Sequence, residues 1–119
     1  MCDAIDRLQK ECGVVHRDIK LWNMCLTDDL TNVKVIDFGL ATPLKREEFA
    51  KAPVFFQGVI SGTKKYLAPE LTTAEGVLGD LSKVDTFALG VTLINLLTGQ
   101  YMFENHHDPA YAAFLADPI

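Results

Sequence analysis

Two polar clusters separated by short apolar runs constrain this chain more than any other feature. The first cluster is His-Arg-Asp-Ile-Lys-Leu-Trp-Asn at residues 16–23, and the second is Asp-Phe-Gly at residues 37–39. Short apolar or β-branched runs adjoin them at residues 14–15, 24–26 and 33–36. Turn residues at 27–32 between the last two runs predict a hairpin. Both polar clusters are therefore expected on strand ends and loops, where their side chains can point into a cleft.

The two ends of the chain carry helical signals. Ile5, Leu8 and Cys12 recur at helical spacing and Gly13 follows as a stop, which predicts the last turns of an amphipathic helix over residues 1–12. Residues 108–115 predict the start of another helix. The chain is therefore expected to place a helix on either side of its polar clusters.

The longest apolar segment predicts the central element of the core. Ser82 precedes this segment with Asp85 three positions on, as in a capping box, and Gly99 stands just beyond its end. The pattern predicts a helix over residues 83–98. Residues 41–61 instead mix charges, prolines and glycine without a sustained period, and they predict a long loop.

Composition narrows the class of protein. Of the 119 residues, 49% are hydrophobic and 23% are charged, an ordinary globular balance that suits one domain over residues 1–119. The net charge of −5 leaves no basic field for a phosphate backbone, so no nucleic acid partner is expected. Apolar runs fall short of the ~20 residues that span a bilayer, and no secretory signal is visible. We therefore expect no membrane partner either.

The cysteines suggest a compartment. Cys2, Cys12 and Cys25 include no CxxC pair, and an odd number of thiols without such pairs is typical of a reducing environment. The chain is accordingly expected to be intracellular, either cytoplasmic or nuclear. Each thiol is expected to be a small buried side chain.

With Ala-Pro-Glu at residues 68–70, the two polar clusters resemble the catalytic motifs of eukaryotic-type protein kinases. Lys20, two residues after Asp18, makes the resemblance one to the Ser/Thr type. It implies an α+β, mainly α fold, that of the large (C-terminal) lobe of a kinase. It also implies Ser or Thr of a protein as substrate, ATP as phosphate donor and Mg²⁺ as cofactor.

The same resemblance assigns roles to five residues. Asp18 would orient the substrate hydroxyl and accept its proton, with Lys20 beside the transferred phosphate. Thr63 would bond to this Asp–Lys pair. Asn23 and Asp37 would bind Mg²⁺, which prefers a small number of hard oxygen ligands.

Other matches concern the surroundings of that centre. Cys25 follows Asn23 where the family packs apolar side chains under adenine, so it is a candidate ATP contact, and an inert packed cysteine is the alternative. His16 and Phe38 correspond to members of an apolar stack. Asp85 resembles the aspartate that accepts backbone N–H bonds from the catalytic loop.

Some parts of a kinase have no counterpart in the sequence. No GxGxxG loop occurs, and neither do the strand lysine and helix glutamate that accompany it. The resemblance thus covers a large lobe lacking the small lobe and the last helices. Two interpretations stay open: part of an enzyme that transfers the γ-phosphoryl group of MgATP, or a catalytically inactive, truncated kinase-like domain acting as a binding or regulatory module. The oligomeric state also stays open.

Two lysines and an arginine bear on substrates and regulation. Lys64 and Lys65 place positive charge in the substrate-facing loop and could favour acidic or phosphorylated targets, unless both are simply solvated. By the resemblance, Arg17 is the residue that usually binds a phosphate group on the activation loop in this family. Val59 cannot carry that phosphate, and Thr42 replaces the cation that often assists the arginine.

Phosphorylation of Ser61 is the rival possibility for Arg17. Thr63 could also carry phosphate, but it would then lose its place beside Asp18. We expect the loop at 41–61 to be held by packing, through Phe55 and Phe56, or released by a partner.

Overall fold

A computed structural model of the chain describes residues 1–43, 54–56, 63–72, 77–79 and 82–117. The described residues form three α-helices: α1 at Cys2–Lys10, α2 at Ser82–Thr98 and α3 at Pro109–Ala116. All three were predicted, with bounds that differ by one to two residues at most ends. Gly13 and Gly99 have φ angles of 63° and 71°, the left-handed values that favour glycine after a helix.

Six short strands form three two-stranded antiparallel sheets within the described residues. Strands β1 to β6 span Val14–Val15, Met24–Leu26, Val33–Val35, Thr42–Pro43, Val54–Phe56 and Val77–Gly79. Strands β2 and β3 form the predicted hairpin, in which Cys25 pairs with Lys34. Together with the helices these sheets agree with the expected α+β class.

The prediction of a continuous loop over residues 41–61 is wrong at two places. Thr42 and Pro43 form β4 and pair with β1, and residues 54–56 form β5 and pair with β6. Both pairings join segments far apart in sequence, so no hydrophobic period within residues 41–61 predicts them. Val59 and Ser61 lie outside the described residues, as do the side chains of Phe55 and Phe56.

Helix α2 is the central core element, as expected. It contributes Ala88, Leu89 and Val91 to one buried cluster and Val84 to another. The first cluster brings together segments from across the described chain: Ile5, Ile19, Tyr66, Ala88, Leu89, Val91, Phe103 and Tyr111. Ile19 lies within the first polar cluster and is fully buried, so the core itself anchors the loop that carries Asp18.

Helix α3 is fastened at both its start and its middle. Asp108 caps it, because Oδ1 of Asp108 accepts a hydrogen bond from the backbone N–H of Ala110 at 2.8 Å. The buried Tyr111 donates its hydroxyl hydrogen to the carbonyl oxygen of Leu67 at 2.9 Å. This bond ties α3 to the segment that follows Thr63.

The expectation of buried thiols is wrong: Cys2, Cys12 and Cys25 are all exposed. Cys2 is the first residue of α1 and Cys12 follows the helix, of which only Ile5 is fully buried. All three thiols are free. No helix in the described part of the chain is long and apolar enough to cross a membrane.

Candidate active site

The carboxylate of Asp18 is held by two residues from different parts of the chain. Oδ1 of Asp18 accepts a hydrogen bond from the hydroxyl of Thr63 at 2.7 Å and another from the backbone N–H of Thr63 at 3.2 Å. Lys20 Nζ lies 3.1 Å from Oδ2 of Asp18 and donates to the Thr63 hydroxyl oxygen at 2.6 Å. The structure thus brings Asp18, Lys20 and Thr63 into one closed network.

This network governs the protonation of Asp18. Burial by itself opposes ionisation, but the hydrogen bonds from Thr63 and Lys20 and the lysine charge outweigh it, so the pKa of Asp18 is lowered. Asp18 is therefore an anion at neutral pH. A carboxylate of lowered pKa is a weak base but a good hydrogen-bond acceptor, which suits it to orienting a hydroxyl group.

Asn23 is fixed by the same carboxylate. Its side-chain nitrogen donates to the carbonyl oxygen of Asp18 at 2.8 Å and to Oδ2 at 3.2 Å. The side chain is buried, and its Oδ1 receives no hydrogen bond from the part of the chain that the structure describes. The amide oxygen is consequently left as a hard donor that a divalent cation could use.

A backbone hydrogen bond of the preceding residue places Asp37 close to Asn23 in the fold. The N–H of Ile36 donates to the carbonyl oxygen of Asn23 at 2.9 Å, which sets the start of the second polar cluster against the end of the first. Asp37 itself has a φ of 62°, and its Oδ1 accepts from the N–H of Gly39 at 3.2 Å. Left-handed backbone is uncommon outside glycine, and it turns this exposed carboxylate away from the strand direction.

A Cβ at position 39 would lie 3.1 Å from Oδ1 of Asp37. That approach is tighter than side chains normally make, so a larger residue at position 39 would have to displace the Asp37 carboxylate. Asn23 and Asp37 each carry an oxygen donor of the kind that Mg²⁺ prefers.

His16 joins the two polar clusters. Its Nε2 lies 2.9 Å from the carbonyl oxygen of Ile36, and its Nδ1 accepts a hydrogen bond from the N–H of Asp18 at 3.2 Å. These two partners require the neutral tautomer that carries its hydrogen on Nε2. The ring of Phe38 packs edge-on against His16 at a centroid distance of 5.0 Å, which is the stacking contact that the resemblance implied.

The buried carboxylate of Asp85 holds the backbone at the start of the first polar cluster. Its carboxylate accepts from the backbone N–H of His16 at 2.7 Å and of Arg17 at 2.8 Å, as the resemblance implied. Asp85 is fully buried, and this burial raises its pKa although both amide bonds oppose the shift. Arg17 has a φ of 69°, so the two bonds hold a strained residue directly before Asp18.

Arg17 makes a contact that the sequence only hinted at. Its Nη1 donates to the hydroxyl oxygen of Thr42 at 3.1 Å. Thr42, which the resemblance places where a cation often assists the arginine, instead supplies an acceptor to the guanidinium. The pairing of β4 with β1 creates this contact.

Cys25 lies in strand β2, two residues after Asn23. Its exposed thiol lines an apolar pocket of about 170 Å³ together with Met1, Leu21, Met24, Leu26, Val33 and Leu96. The exposure of Cys25 shows that the alternative of an inert packed cysteine is wrong, and the ATP contact stays a prediction. The structure does not join Cys25 to Asp18, Lys20 or Thr63 by any contact it describes.

Sequence reasoning missed the partners of Lys65. Lys65 Nζ lies 2.8 Å from Oε2 of Glu104 and 4.0 Å from the ring centroid of Tyr101. These residues follow α2 and carry no motif that connects them with position 65. Only the packing of the loop against the end of α2 reveals the pair.

Comparison with known families gives the class of protein. A family model described as "Protein kinase domain" matches residues 1–117, and the chain belongs to the protein kinase family, of the eukaryotic Ser/Thr type. Kinases of this family generally use ATP and Mg²⁺ and act on proteins.

Individual relatives agree with this assignment. The chain is 40% identical over 105 residues to Serine/threonine-protein kinase CHK1 of Saccharomyces cerevisiae, covering 87% of this chain and 19% of that protein. It is 39% identical over 108 residues to Serine/threonine-protein kinase Pkn1 of Myxococcus xanthus, with 88% and 14% covered. For the MAP kinase kinase mkk-4 of Caenorhabditis elegans the identity is 37% over 102 residues, with 86% and 25% covered. The chain therefore spans a quarter or less of the length of these relatives.

Proposed function

We propose that residues 1–119 belong to the large lobe of a protein serine/threonine kinase and carry its phosphoryl-transfer centre. The reaction would move the γ-phosphoryl group of ATP to a Ser or Thr hydroxyl of a protein substrate. The observation that supports this most strongly is the closed network of Asp18, Lys20 and Thr63. A module that only binds partners has no physical need for an anionic carboxylate held in this way.

In this proposal Asp18 accepts a hydrogen bond from the substrate hydroxyl and fixes its direction of attack. Because the pKa of Asp18 is lowered, the carboxylate positions the hydroxyl throughout and takes the proton only late in the transfer. Lys20 Nζ lies 3.1 Å from Oδ2 of Asp18. At this position its positive charge can also stabilise the oxygens of the phosphoryl group during transfer.

Asn23 and Asp37 are the residues that would hold Mg²⁺, through Oδ1 of the amide and the carboxylate. When bound, the ion would neutralise the phosphate oxygens of ATP and bring the γ-phosphoryl group to the hydroxyl. The apolar pocket beside Cys25 would receive the adenine ring, since its lining is almost wholly apolar.

The proposal is tested by replacing Asp18 in the full-length protein. Asp18→Asn keeps the shape of the side chain but removes its charge, so transfer of radiolabelled phosphate from ATP to a protein substrate should fall about 10²- to 10⁴-fold. Asp28→Asn, at an exposed turn position, is the matched control and should retain wild-type activity. Far-UV circular dichroism should show both variants folded.

A wild-type protein that binds protein substrates but transfers no more phosphate than Asp18→Asn would overturn the proposal. That result would favour the alternative, a kinase-like binding or regulatory module.

A further inference from the structure

Lys64 directly follows Thr63, which is part of the Asp18 network. Thr63 is bonded to Asp18 through both its backbone N–H and its hydroxyl, so the backbone at residue 63 lies against the carboxylate. Consecutive Cα atoms are only about 3.8 Å apart. Lys64 therefore begins one residue from the Asp18 network, and its side chain is exposed. A peptide that delivers a hydroxyl to Asp18 brings the residues flanking that hydroxyl within reach of this lysine.

Lys64 and Lys65 are not equivalent, although they are neighbours. The charge of Lys65 is matched by Glu104 at 2.8 Å, and its ammonium group also sits over the ring of Tyr101. Lys64 makes no ion pair with any residue that the structure describes. The sequence suggested two cations facing the substrate, whereas the geometry leaves Lys64 as the one that a substrate can use.

The turn after Glu104 carries two histidines whose electrostatic environment includes Lys64. The rings of His106 and His107 stack at a centroid distance of 3.9 Å. Burial, the neighbouring His107 and the charge of Lys64 together lower the pKa of His106, which shows that Lys64 and this turn share one electrostatic environment. Nδ1 of His106 is enclosed and has no hydrogen-bond partner in the described part of the chain.

The acidic groups of this turn are already engaged. Glu104 pairs with Lys65, and the carboxylate of Asp108 accepts from the N–H groups of Glu104 and Ala110. They leave Lys64 without a local counter-ion, beside a site that a substrate must enter.

We propose that Lys64 is a specificity-determining residue, which favours substrates with an anionic side chain close to the target Ser or Thr. The inference rests on the proposed function, because it takes Asp18 as the point where the hydroxyl binds. A carboxylate and a phosphate group share the required chemistry. Exposed ion pairs are weak and are screened by salt, so the preference is a modest one that is strongest at low ionic strength.

The test measures peptide binding by the full-length protein, separately from the phosphoryl-transfer assay described for Asp18→Asn. Four fluorescently labelled peptides carry one Ser flanked on both sides by Ala, Asp, phosphoserine or Lys, and their affinities are measured by fluorescence anisotropy. At about 50 mM salt the Asp peptide should bind about two- to fivefold more tightly than the Ala peptide, and this ratio should fall toward one at 0.5 M salt. The phosphoserine arm shows whether phosphate serves as well as carboxylate.

Two substitutions and a control assign the effect to Lys64. Lys64→Ala should abolish the preference, and Lys64→Glu should reverse it in favour of the Lys peptide. Lys83→Ala removes an exposed lysine at the start of α2 and should leave the preference unchanged. Lys64 is exposed, so its variants should fold.

Equal binding of the Asp and Ala peptides by the wild type, or an undiminished preference in Lys64→Ala, would overturn the inference. Failure of any peptide to bind at millimolar concentration would do the same. The proposed function fails separately, since a protein that prefers the Asp peptide yet transfers no phosphate would contradict the enzymatic assignment alone.

Discussion

Replacing Asp85 with Asn should destabilise the chain by weakening the contacts of its carboxylate, which are two backbone bonds and a side-chain hydrogen bond from Gln9. Asp85 is fully buried and accepts the N–H groups of His16 and Arg17 at 2.7 and 2.8 Å. Asparagine keeps one acceptor oxygen but turns an amide N–H₂ group toward the other backbone N–H. One bond to a charged acceptor, worth about 1.5–3 kcal/mol, is lost, and leaving a buried donor unsatisfied costs about 1–3 kcal/mol.

Part of that cost is recovered because a neutral amide is easier to bury than a carboxylate, the same effect that raises the pKa of Asp85. We therefore expect Asp85→Asn to lower the free energy of unfolding by about 2–4 kcal/mol. The free energy of unfolding of an ordinary domain is about 5–15 kcal/mol, so this loss would remove a large share of it.

Urea denaturation followed by far-UV circular dichroism measures the change, with an unaltered m-value expected. Amide hydrogen exchange adds a local readout, because the N–H groups of His16 and Arg17 should exchange faster in the variant. Asp28→Asn is the control and should stay within about 0.5 kcal/mol of the wild type. A loss below about 1 kcal/mol in Asp85→Asn, with both amides still protected, would show that the carboxylate does not hold the loop.

Two further predictions concern helix α3. Burial raises the pKa of Tyr111 to about 12, above its value of 10.0 in the unfolded chain, so its contribution to stability is complete below pH 10 and is lost as pH rises toward 12. Urea midpoints at pH 9 and 11.5 should therefore differ less in Tyr111→Phe than in the wild type, and an equal pH dependence would contradict this assignment. Asp108→Ala removes the N-cap of α3 and should lower stability by about 1 kcal/mol in the same assay. Asp117→Ala, at the other end of α3, is its control, and equal effects of the two changes would refute the capping role.

Local sequence signals were enough for the elements whose interactions are local. Gly13 and Gly99 marked helix ends because left-handed backbone there favours glycine. The hairpin of β2 and β3 followed from two apolar runs and the turn residues between them. The contacts of Asp18 with Lys20 and Thr63 were expected only through the resemblance to kinases, and the hydrogen bonds agree with it.

Features that depend on distant segments escaped the sequence. Thr42 pairs with Val15 across more than twenty residues, and no period within residues 41–61 marks this strand. Lys65 finds Glu104 only once the loop packs against the end of α2. Cys25 was expected to be buried from its residue type, but it and the adjoining Leu26 are both exposed on the hairpin, because no other described segment covers that part of β2.

The bonds between Asp85 and the catalytic loop also set an order of events in folding. They join residues separated by 68 and 69 positions, and closing a loop of that length costs about 4 kcal/mol of chain entropy. Only a docked α2 can offset this cost, since Asp85 stands in the first turn of that helix. The loop around Asp18 is therefore expected to reach its native form late, after the hydrophobic clusters around α2 have formed. A partly folded chain would then lack the network of Asp18, Lys20 and Thr63, so the activity proposed for this site depends on a completed core.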